Sequence, residues 1–250
     1  MGCPAHGVGT ATSAPSNAEA FRSAPAPPGH AGTPRPYSRG VPRRPELGIR
    51  PAIAEDRAGI LDVMYREPGP EMLGSCGSVE ASRRFGAALL DLGGFPNPSK
   101  PVVVATASGR VVAMAQYVIG GTGSLGVGDT VRISVKAFGL LGALGRIPAA
   151  IWRWRVELAP VEDEFYLADI HVDPELRGSG VGSALLDWIE QKANEAPVST
   201  LWLITGSANP ARRLYERHGF TVTAERHDKH YEARTGTPGR IRMEKAVDAH

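Results

Sequence analysis

The chain contains 250 residues, of which 42% are hydrophobic and 22% are charged, a composition ordinary for a globular protein. Its net charge of +2 is too small to predict a nucleic-acid partner, which needs a strong basic excess. Cys3 and Cys76 are the only cysteines, so neither a disulfide framework nor a multi-cysteine zinc site is expected. Two unpaired thiols suit a reducing compartment, and no apolar signal segment follows the start. We therefore expect a cytoplasmic protein.

The first 46 residues differ in composition from the rest of the chain. They are rich in proline, alanine, glycine and serine, and nine of the 21 prolines fall within the first 50 positions. This stretch has no periodic apolar pattern that would form a packed helix or strand. We therefore predict a disordered arm over residues 1–46 and one folded domain over residues 47–250.

The first part of the folded domain shows helical and extended patterns in turn. Leu61, Met64 and Tyr65 have near-helical spacing, and Pro68-Gly69-Pro70 is predicted to break that helix. The predicted elements are a strand at Leu47–Arg50, helices near Glu55–Arg66 and Val79–Leu92, and a hairpin of two strands at Val102–Thr106 and Val111–Ile119.

Residues 120–160 form a segment whose secondary structure the sequence determines only in part. Ala137, Leu140 and Leu144 have helical spacing, whereas Trp152 and Trp154 alternate with arginines as they would in a strand. For the second half of the segment, helix and strand both remain possible predictions. Basic residues interrupt every apolar run well short of about 18 residues, so no membrane span is predicted. We expect the segment to pack over the core, with a lid or an interaction surface as the alternatives.

A buried strand is predicted from Phe165 to Val172, because apolar and aromatic residues dominate this stretch. Asp173-Pro174 should end the strand, since proline restricts the backbone and lacks an N–H. A helix is predicted over Val181–Asn194, where apolar residues recur at i, i+3, i+4, i+7 and i+8. A glycine-rich turn therefore connects a strand to a helix.

This turn has the properties of an anion site. Gly178, Gly180 and Gly182 keep side chains away, so that backbone N–H groups can converge on an anion at the helix N-terminus, and Arg177 adds a cation. The turn lacks the Gly-Lys-Ser/Thr ending of a P-loop and does not fit the Gly-x-Gly-x-x-Gly dinucleotide pattern. A pyrophosphate is the predicted anion, and a glycine-rich turn without a ligand is the alternative.

A further helix is predicted after the strand at Thr200–Ile204. Asn209 is a natural N-cap for this helix and Gly219 should end it. Tyr215 lies between them. From the residues alone, Tyr215 is either a functional group or a half-buried side chain that packs on Phe220.

His227, Asp228 and His230 stand close together in a connection between the last predicted strands, around Thr221–Arg226 and Arg240–Lys245. Two histidines and an aspartate without a further spaced ligand group make a weak metal motif. We therefore predict a solvated turn here and no bound metal.

Residues 177–182 read Arg-Gly-Ser-Gly-Val-Gly, which matches the Arg/Gln-x-x-Gly-x-Gly/Ala pattern of a coenzyme A loop. Asn209–Phe220, NPARRLYERHGF, matches a second element at the expected spacing. On these two motifs the chain resembles the GNAT acyltransferase superfamily over about residues 47–246. The resemblance implies an α/β (α+β) fold in which helices flank a mixed central sheet.

The resemblance also implies an N-acetyltransferase that transfers an acetyl group from acetyl-CoA to a primary amine by direct attack in a ternary complex. No protein nucleophile is needed for that reaction. Backbone N–H groups near the end of the strand would polarise the acetyl carbonyl, and the glycine-rich turn would bind the coenzyme. The coenzyme-binding residues implied in this way are Ile170, His171, Val172, Arg177, Gly178, Ser179, Gly180, Val181, Gly182 and Asn209.

Two residues are implied to carry the proton transfers. Tyr215 matches the family's Leu-Tyr-x-x-x-Gly-Phe position, which implies a general acid for the leaving thiolate. Asp169 is our first choice for the general base, and Glu164, just before the strand, is a second candidate. The alternative for Asp169 is a carboxylate that is bonded to a neighbouring backbone group or arginine.

The acceptor is expected to be a small-molecule or peptide amine, and the segment 120–160 is our candidate for setting acceptor specificity. A non-catalytic acyl-CoA-binding regulatory module and transfer of a longer acyl group are kept as alternatives. The sequence is compatible with a homodimer and does not determine the oligomeric state.

Overall fold

A seven-stranded sheet organises the chain in the computed structural model, which describes residues 46–121 and 126–248. The predicted arm lies outside the described residues, apart from Glu46. The strands are β1 (Gly48–Pro51), β2 (Val102–Ala107), β3 (Arg110–Ile119), β4 (Phe165–Val172), β5 (Thr200–Gly206), β6 (Thr221–His227) and β7 (Gly239–Ala246). The helices are α1 (Arg57–Tyr65), α2 (Pro70–Cys76), α3 (Val79–Gly93), α4 (Val127–Leu144), α5 (Ile147–Arg155), α6 (Val181–Asn194), α7 (Arg212–Arg217) and α8 (Lys229–Thr235).

The strands lie in the order β1-β2-β3-β4-β5-β7-β6. Every neighbouring pair is antiparallel except β4 and β5, which are parallel and joined by α6. A parallel pair needs such a crossover, because a short turn cannot bring the chain back to the starting edge. A mixed sheet flanked by helices confirms the predicted α/β (α+β) fold class.

The two faces of the sheet bury separate apolar cores, because successive side chains of a strand point to opposite faces. Val103 of β2 belongs to the core under α6, together with Leu185 and Ile189. Val104, the next residue, belongs to the core under α1, together with Ile60. All five side chains are fully buried. These contacts fix α1 and α6 on opposite faces of the sheet.

The pairing between β4 and β5 is short. Residues 165–167 pair with residues 201–203, whereas β4 continues to Val172 and β5 to Gly206. The register between β3 and β4 shifts between Gln116 and Tyr117, which leaves Ala168 as a bulge at the point where the pairing with β5 stops. A gap therefore opens between the second halves of the two central strands.

Two predicted elements are confirmed closely. Helix α6 has the predicted bounds, since its apolar face is continuous from its first turn to its last. Strands β2 and β3 form the predicted hairpin, in which Ser108 and Gly109 both have positive φ, 50° and 76°. A tight turn that needs this backbone favours glycine.

The predicted break after α1 is followed at once by a helix that the sequence analysis missed. Pro70 is the first residue of α2, which ends at Cys76. Proline suits this position because the first N–H of a helix has no helical acceptor. The sequence pattern at Pro68-Gly69-Pro70 predicts only a break between helices.

The second half of the segment 120–160 is helical, so the strand alternative is wrong. Along α5, Ala149 is buried, Trp152 is half-buried and Val156, the next residue after the helix, is buried, a spacing of three to four residues. The helix expected in the first half is confirmed as α4, which contains a break at Gly139 with φ 70° and ψ 172°.

Helices α4 and α5 expose several large apolar side chains, of which Leu141 is 84% and Trp154 is 74% exposed. Helix α4 packs on α3, and α5 packs on α8. No single helix in the described part of the chain is long and apolar enough to cross a membrane. Helices α4 and α5 meet that test only when they are joined, and their axes are bent by 105°.

Helix α7 starts later than predicted, at Arg212, so Asn209 is not its N-cap. Instead, the Asn209 side chain accepts a hydrogen bond from the N–H of Ala211 at 2.9 Å, within the turn that leads into the helix. Gly219, with φ +85°, follows the end of the helix as predicted.

Glu164 fixes the start of the β4–β5 pair. Its carboxylate accepts hydrogen bonds from the N–H groups of Ser199 and Thr200, at 2.8 and 2.7 Å, and from the Ser199 hydroxyl at 2.6 Å. Burial opposes ionisation of this carboxyl, but the hydrogen bonds outweigh that effect and lower the pKa of Glu164. Glu164 is therefore committed to the fold at the end of β4 away from the glycine-rich turn.

We expect Glu164→Gln to lower the free energy of unfolding at pH 7 by about 1 kcal/mol, because a partly exposed carboxylate loses charged hydrogen bonds. Since the pKa is depressed in the folded protein, this contribution is present above the ordinary glutamate pKa near 4.5 and is lost as the pH falls through the folded value. Urea unfolding at neutral and acidic pH measures the loss of unfolding free energy and its dependence on pH.

The matched control is Glu162→Gln, which alters an exposed glutamate two residues away and should leave stability unchanged. A stability difference between the Glu164 variant and the parent that stays constant down to the most acid pH at which both fold would contradict the charged hydrogen bonds.

Candidate coenzyme loop and active site

Asp173 follows the last residue of β4 and begins the glycine loop, which we define as residues 173–182. The residue is 1% exposed, and its carboxylate lies 3.3 Å from Arg66 Nη1 and 3.2 Å from Arg110 Nη2. It also accepts a hydrogen bond from the N–H of Glu175 at 3.1 Å. A buried carboxylate is costly unless it is paired, so these partners hold the start of the loop in one position.

Gly178 and Gly180 give the loop its shape. Their φ angles are +79° and +91°, in the left-handed region that favours glycine. Gly180 immediately precedes α6, and its carbonyl accepts from the N–H of Ala184 at 3.0 Å. Within residues 46–121 and 126–248, the N–H groups of residues 181–183 have no acceptor, as expected for a first helical turn. An anion in front of this helix would satisfy them.

The remaining loop residues leave that space open. Both the N–H and the hydroxyl of Ser179 donate to the Leu176 carbonyl, at 3.2 and 2.6 Å, so Ser179 tightens the loop. The Val181 side chain is buried in the core under α6, which leaves only its backbone N–H for a ligand. A Cβ atom at Gly182 would lie 3.3 Å from Leu214 and 3.5 Å from Val172, so glycine here allows α6, α7 and β4 to approach closely.

Arg177, the predicted cation, is present three residues before Gly180. Its Nη1 lies 2.8 Å from Oε2 of Glu67, and both side chains are 57% exposed. Glu67 belongs to the connection between α1 and α2. The cation of the glycine loop is thus paired with a carboxylate that no local motif predicts.

Backbone groups of β4 line the gap beside β5. The N–H of Asp173 donates to the carbonyl of Val112 in β3 at 2.8 Å, and the direction of backbone groups alternates along a strand. The backbone groups of Ile170 and Val172 therefore face the gap, whereas those of His171 face β3. Of the three residues predicted to line the acetyl site, Ile170 and Val172 are the two with backbone groups directed there.

Asn209 organises the connection from β5 to α7. Its Nδ2 donates to Thr205 Oγ1 at 2.7 Å, and its Oδ1 accepts from the N–H of Ala211. Both ends of the amide are used inside the protein, so Asn209 sets the start of α7 and, through it, the position of Tyr215.

Tyr215 lies on α7 and is 5% exposed, with its ring 5.9 Å from the ring of Phe220. Burial, and after it the carboxylate of Asp169, raises the pKa of Tyr215 above its ordinary value of 10. The hydroxyl is therefore protonated at neutral pH. Tyr215 also belongs to the same apolar core as Ile170, the residue after Asp169 on β4.

Asp169 lies on β4 next to the gap, with its side chain 43% exposed and Oδ1 3.5 Å from Nε2 of His171. Burial and this carboxylate together also raise the pKa of Tyr65, and that of Tyr166 to about 12. The Asp169 carboxylate thus affects the pKa of three tyrosines. No local motif connects Tyr65 or Tyr166 with Asp169, because Tyr65 comes from α1 and Tyr166 from the start of β4.

The histidine-rich connection between β6 and β7 serves the fold. Asp228 accepts from the N–H groups of His230 and Tyr231 and is the N-cap of α8, where a solvated turn was expected. Its carboxylate also contacts Arg155 at 2.8 Å, and the His230 ring stacks on Trp152 with 4.6 Å between centroids.

Asp187, Glu190 and His218 lie close enough together to ligate a metal ion. Glu190 also contacts the Lys245 ammonium at 2.8 Å, which places a positive charge at the same carboxylate. We therefore assign this group to the charge network that links α6, α7 and β7.

The glycine loop, which turns from β4 into α6 and matches the coenzyme A loop pattern, indicates an acyltransferase. The family model described as Acetyltransferase (GNAT) family matches residues 71–220, more than half of the chain. The chain therefore belongs to the GNAT acetyltransferase family, as the two motifs indicated, and is an acyltransferase.

The chain is also similar to curated and solved proteins. It is 42% identical over 60 residues to a [ribosomal protein bS18]-alanine N-acetyltransferase of Haemophilus influenzae, a match that spans 24% of this chain and 41% of the relative.

Solved structures share the fold at lower identity. An acetyltransferase of Corynebacterium glutamicum, described as histone acetyltransferase HPA2 and related acetyltransferase, has a TM-score of 0.55 at 22% identity, over 80% of this chain and 95% of that one. The PaiA N-acetyltransferase of Thermoplasma acidophilum, solved in complex with coenzyme A, has a TM-score of 0.50 at 15% identity, over 80% and 99%. Both support the architecture described above.

We expect Gly180→Glu to abolish coenzyme A binding, since it adds a side chain and a negative charge beside the free N–H groups of α6. Calorimetric titration with coenzyme A measures the loss. The matched control is Gly236→Glu, because Gly236 also has a positive φ, +71°, has open space around its Cβ position, and lies after α8.

Both glycine variants should lose about 1–2 kcal/mol of stability from the strained backbone, so a difference in binding between them isolates the loop. Retained binding by a folded Gly180→Glu protein would rule out an anion at this helix N-terminus.

Proposed function

We propose that the protein is an N-acetyltransferase that transfers the acetyl group of acetyl-CoA to a primary amine by direct attack in a ternary complex. The observation that carries the proposal is the position of the gap between β4 and β5. The gap runs along the part of β4 that carries Asp169 and leads into the glycine loop. Tyr215 packs in the same apolar core as Ile170, the residue after Asp169. A phosphate-binding group and proton-transfer groups are therefore available along this part of β4.

The coenzyme is a substrate of this reaction, and the chain offers suitable groups along its length. The free N–H groups at the start of α6 and the Arg177 guanidinium suit the diphosphate. The N–H groups of Ile170 and Val172, turned into the gap, suit the acetyl carbonyl oxygen. Hydrogen bonds to that oxygen would strengthen as it becomes negative in the transition state.

The acyl transfer needs one bond to form and one to break. The amine lone pair attacks the acetyl carbon to form a C–N bond, and the C–S bond breaks so that the thiolate leaves with the electron pair. A lysine-like amine has a pKa of about 10.4 and is mostly protonated at pH 7, so a base must first remove a proton. In this proposal, Asp169 accepts that proton directly or through a water molecule.

In this proposal, Tyr215 is the general acid for the leaving thiolate. Because its pKa is raised, the hydroxyl still carries its proton at the pH at which a thiol of ordinary pKa, about 8.5, begins to ionise. It can therefore donate a hydrogen bond to the developing thiolate. If its proton is transferred, the free thiol leaves, and the proton that the amine nitrogen loses after the attack neutralises the tyrosinate. Burial also keeps water from competing for the hydroxyl.

The acceptor is proposed to be a small-molecule or peptide amine. The Haemophilus influenzae relative is named for an alanine of a ribosomal protein, which makes peptides with an N-terminal alanine a rational first choice. The first experiment is therefore a screen of polyamines, amino acids and such peptides with acetyl-CoA, in which thiol release is followed and the acetylated product is identified by mass spectrometry.

Two outcomes would redirect this proposal. Tight coenzyme binding without thiol release for any amine indicates a non-catalytic acyl-CoA-binding module. Faster release from propionyl-CoA or longer thioesters indicates a different acyl group. Failure of the native protein to bind any coenzyme A thioester removes the proposed reaction.

We expect Tyr215→Phe to lower kcat by about 100-fold or more, the usual contribution of a general acid, with little change in the Kd for coenzyme A. Steady-state kinetics and calorimetry separate the two effects. Tyr117→Phe is the matched control, because Tyr117 is a partly buried tyrosine of β3 whose ring stacks on Phe165. Equal turnover for the two variants would remove the general-acid role.

We expect Asp169→Asn to lower turnover at pH 7 by about 100-fold, because the acceptor amine loses its base. Turnover of the variant should rise with pH as the amine loses its proton to solvent, so the pH profile distinguishes a lost base from a damaged fold. Asp187→Asn, at an exposed carboxylate of α6, is the control. A variant profile parallel to that of the parent would argue against Asp169.

A further inference from the structure

Arg66 and Glu67, two consecutive residues just after α1, contact both ends of the segment that leads into the coenzyme site. Arg66 contacts Asp173, where the glycine loop begins, and Glu67 contacts Arg177, where its glycine-rich part begins. The two contacts have opposite polarity, since the cation follows α1 in the first and belongs to the loop in the second. The end of α1 is thus attached to the loop by a reciprocal pair of charges.

The first contact has a buried carboxylate as one of its partners. Asp173 has only 2% of its side chain exposed and is shared by Arg66 and Arg110, so neither arginine can leave without exposing or stranding a buried carboxylate. Arg66 also contacts Asp62 within α1. The guanidinium groups of Arg66 and Arg110 already pair with the carboxylate that fixes the loop, so they are less available to bind a ligand.

The second contact is different, because both of its members are more than half exposed to solvent. Exposed ion pairs are weak, so a stronger anion can replace one partner at small cost. Carboxylate and phosphate oxygens also compete for the same guanidinium N–H groups, and a doubly charged diphosphate is the stronger competitor. Arg177 can therefore be released by a ligand.

We propose that Glu67 is an internal competitor of the coenzyme: it occupies the Arg177 guanidinium in the free protein, and the diphosphate of the coenzyme replaces it on binding. This inference rests on the proposed binding of coenzyme A to the glycine loop. Glu67 is then a positioning residue that keeps Arg177 beside the loop and at the same time weakens coenzyme affinity.

The proposal predicts an effect of unusual sign. We expect Glu67→Gln to bind coenzyme A about two- to fivefold more tightly than the parent, the range that corresponds to loss of one exposed ion pair. If Glu67 merely supported the loop, the same change would weaken binding. Calorimetric titration of the full chain with coenzyme A decides between the two directions.

A control must separate direct competition from a general change in charge. Glu175→Gln provides it, because Glu175 is an exposed glutamate of the same loop with its side chain 75% exposed, and its carboxylate lies 3.9 Å from Arg66. It removes one negative charge near the site without touching Arg177. We expect a change in affinity of less than about twofold from this variant.

A double-mutant cycle with Arg177→Gln completes the test. If Glu67 acts by occupying Arg177, adding Glu67→Gln to the Arg177→Gln protein should give no further gain in affinity. The combined variant should then bind coenzyme A as weakly as Arg177→Gln alone.

The outcomes are distinguishable. Tighter binding by Glu67→Gln that disappears in the Arg177→Gln background supports competition. Binding by the parent with an equal or lower affinity for Glu67→Gln, or a gain that survives without Arg177, overturns this inference and leaves the proposed function intact. If neither the parent nor any variant binds coenzyme A, the proposed function and this inference both fall.

Discussion

The site depends on one feature of the sheet, the early end of pairing between its two parallel strands. Pairing stops after Leu167, where the bulge at Ala168 changes the course of β4. From that point the backbone groups of Ile170 and Val172 face an open gap. Continued pairing to the end of β4 would satisfy these groups within the sheet and close the gap beside the glycine loop.

The second requirement is a fixed exit from β4, and a buried charge supplies it. Asp173 contacts the residue after α1, the first residue of β3 and its own loop, so three parts of the chain hold its carboxylate in one position. A flexible loop would have to lose conformational freedom each time an anion bound, whereas this loop has already lost it on folding. The free N–H groups of residues 181–183, at the start of α6, therefore have a fixed orientation before a ligand binds.

The sequence predicted the parts of the site that one short stretch determines. The strand, the glycine loop and α6 are consecutive, and glycine spacing and apolar periodicity specify them locally. Features that depend on distant segments were missed: Tyr65 and Tyr166 near Asp169, the pairing of Glu67 with Arg177, and the start of α7. Helix α5 was ambiguous because its charged and aromatic residues fit a period of two as well as a period of 3.6.

The short strand pairing also has a consequence for how the sheet opens. Within the described residues, three strand-pairing positions join the antiparallel block β1–β4 to the block formed by β5, β6 and β7, and the other links are the crossover helix α6 and side-chain packing in the core beneath it. Such a seam is where partial unfolding would begin, at a cost below that of unfolding the whole domain. A molecule bound in the gap would bridge the blocks and, at 100 times its Kd, add about 2.7 kcal/mol against that opening. The substrate would then be part of the structural support of the sheet for as long as it is bound.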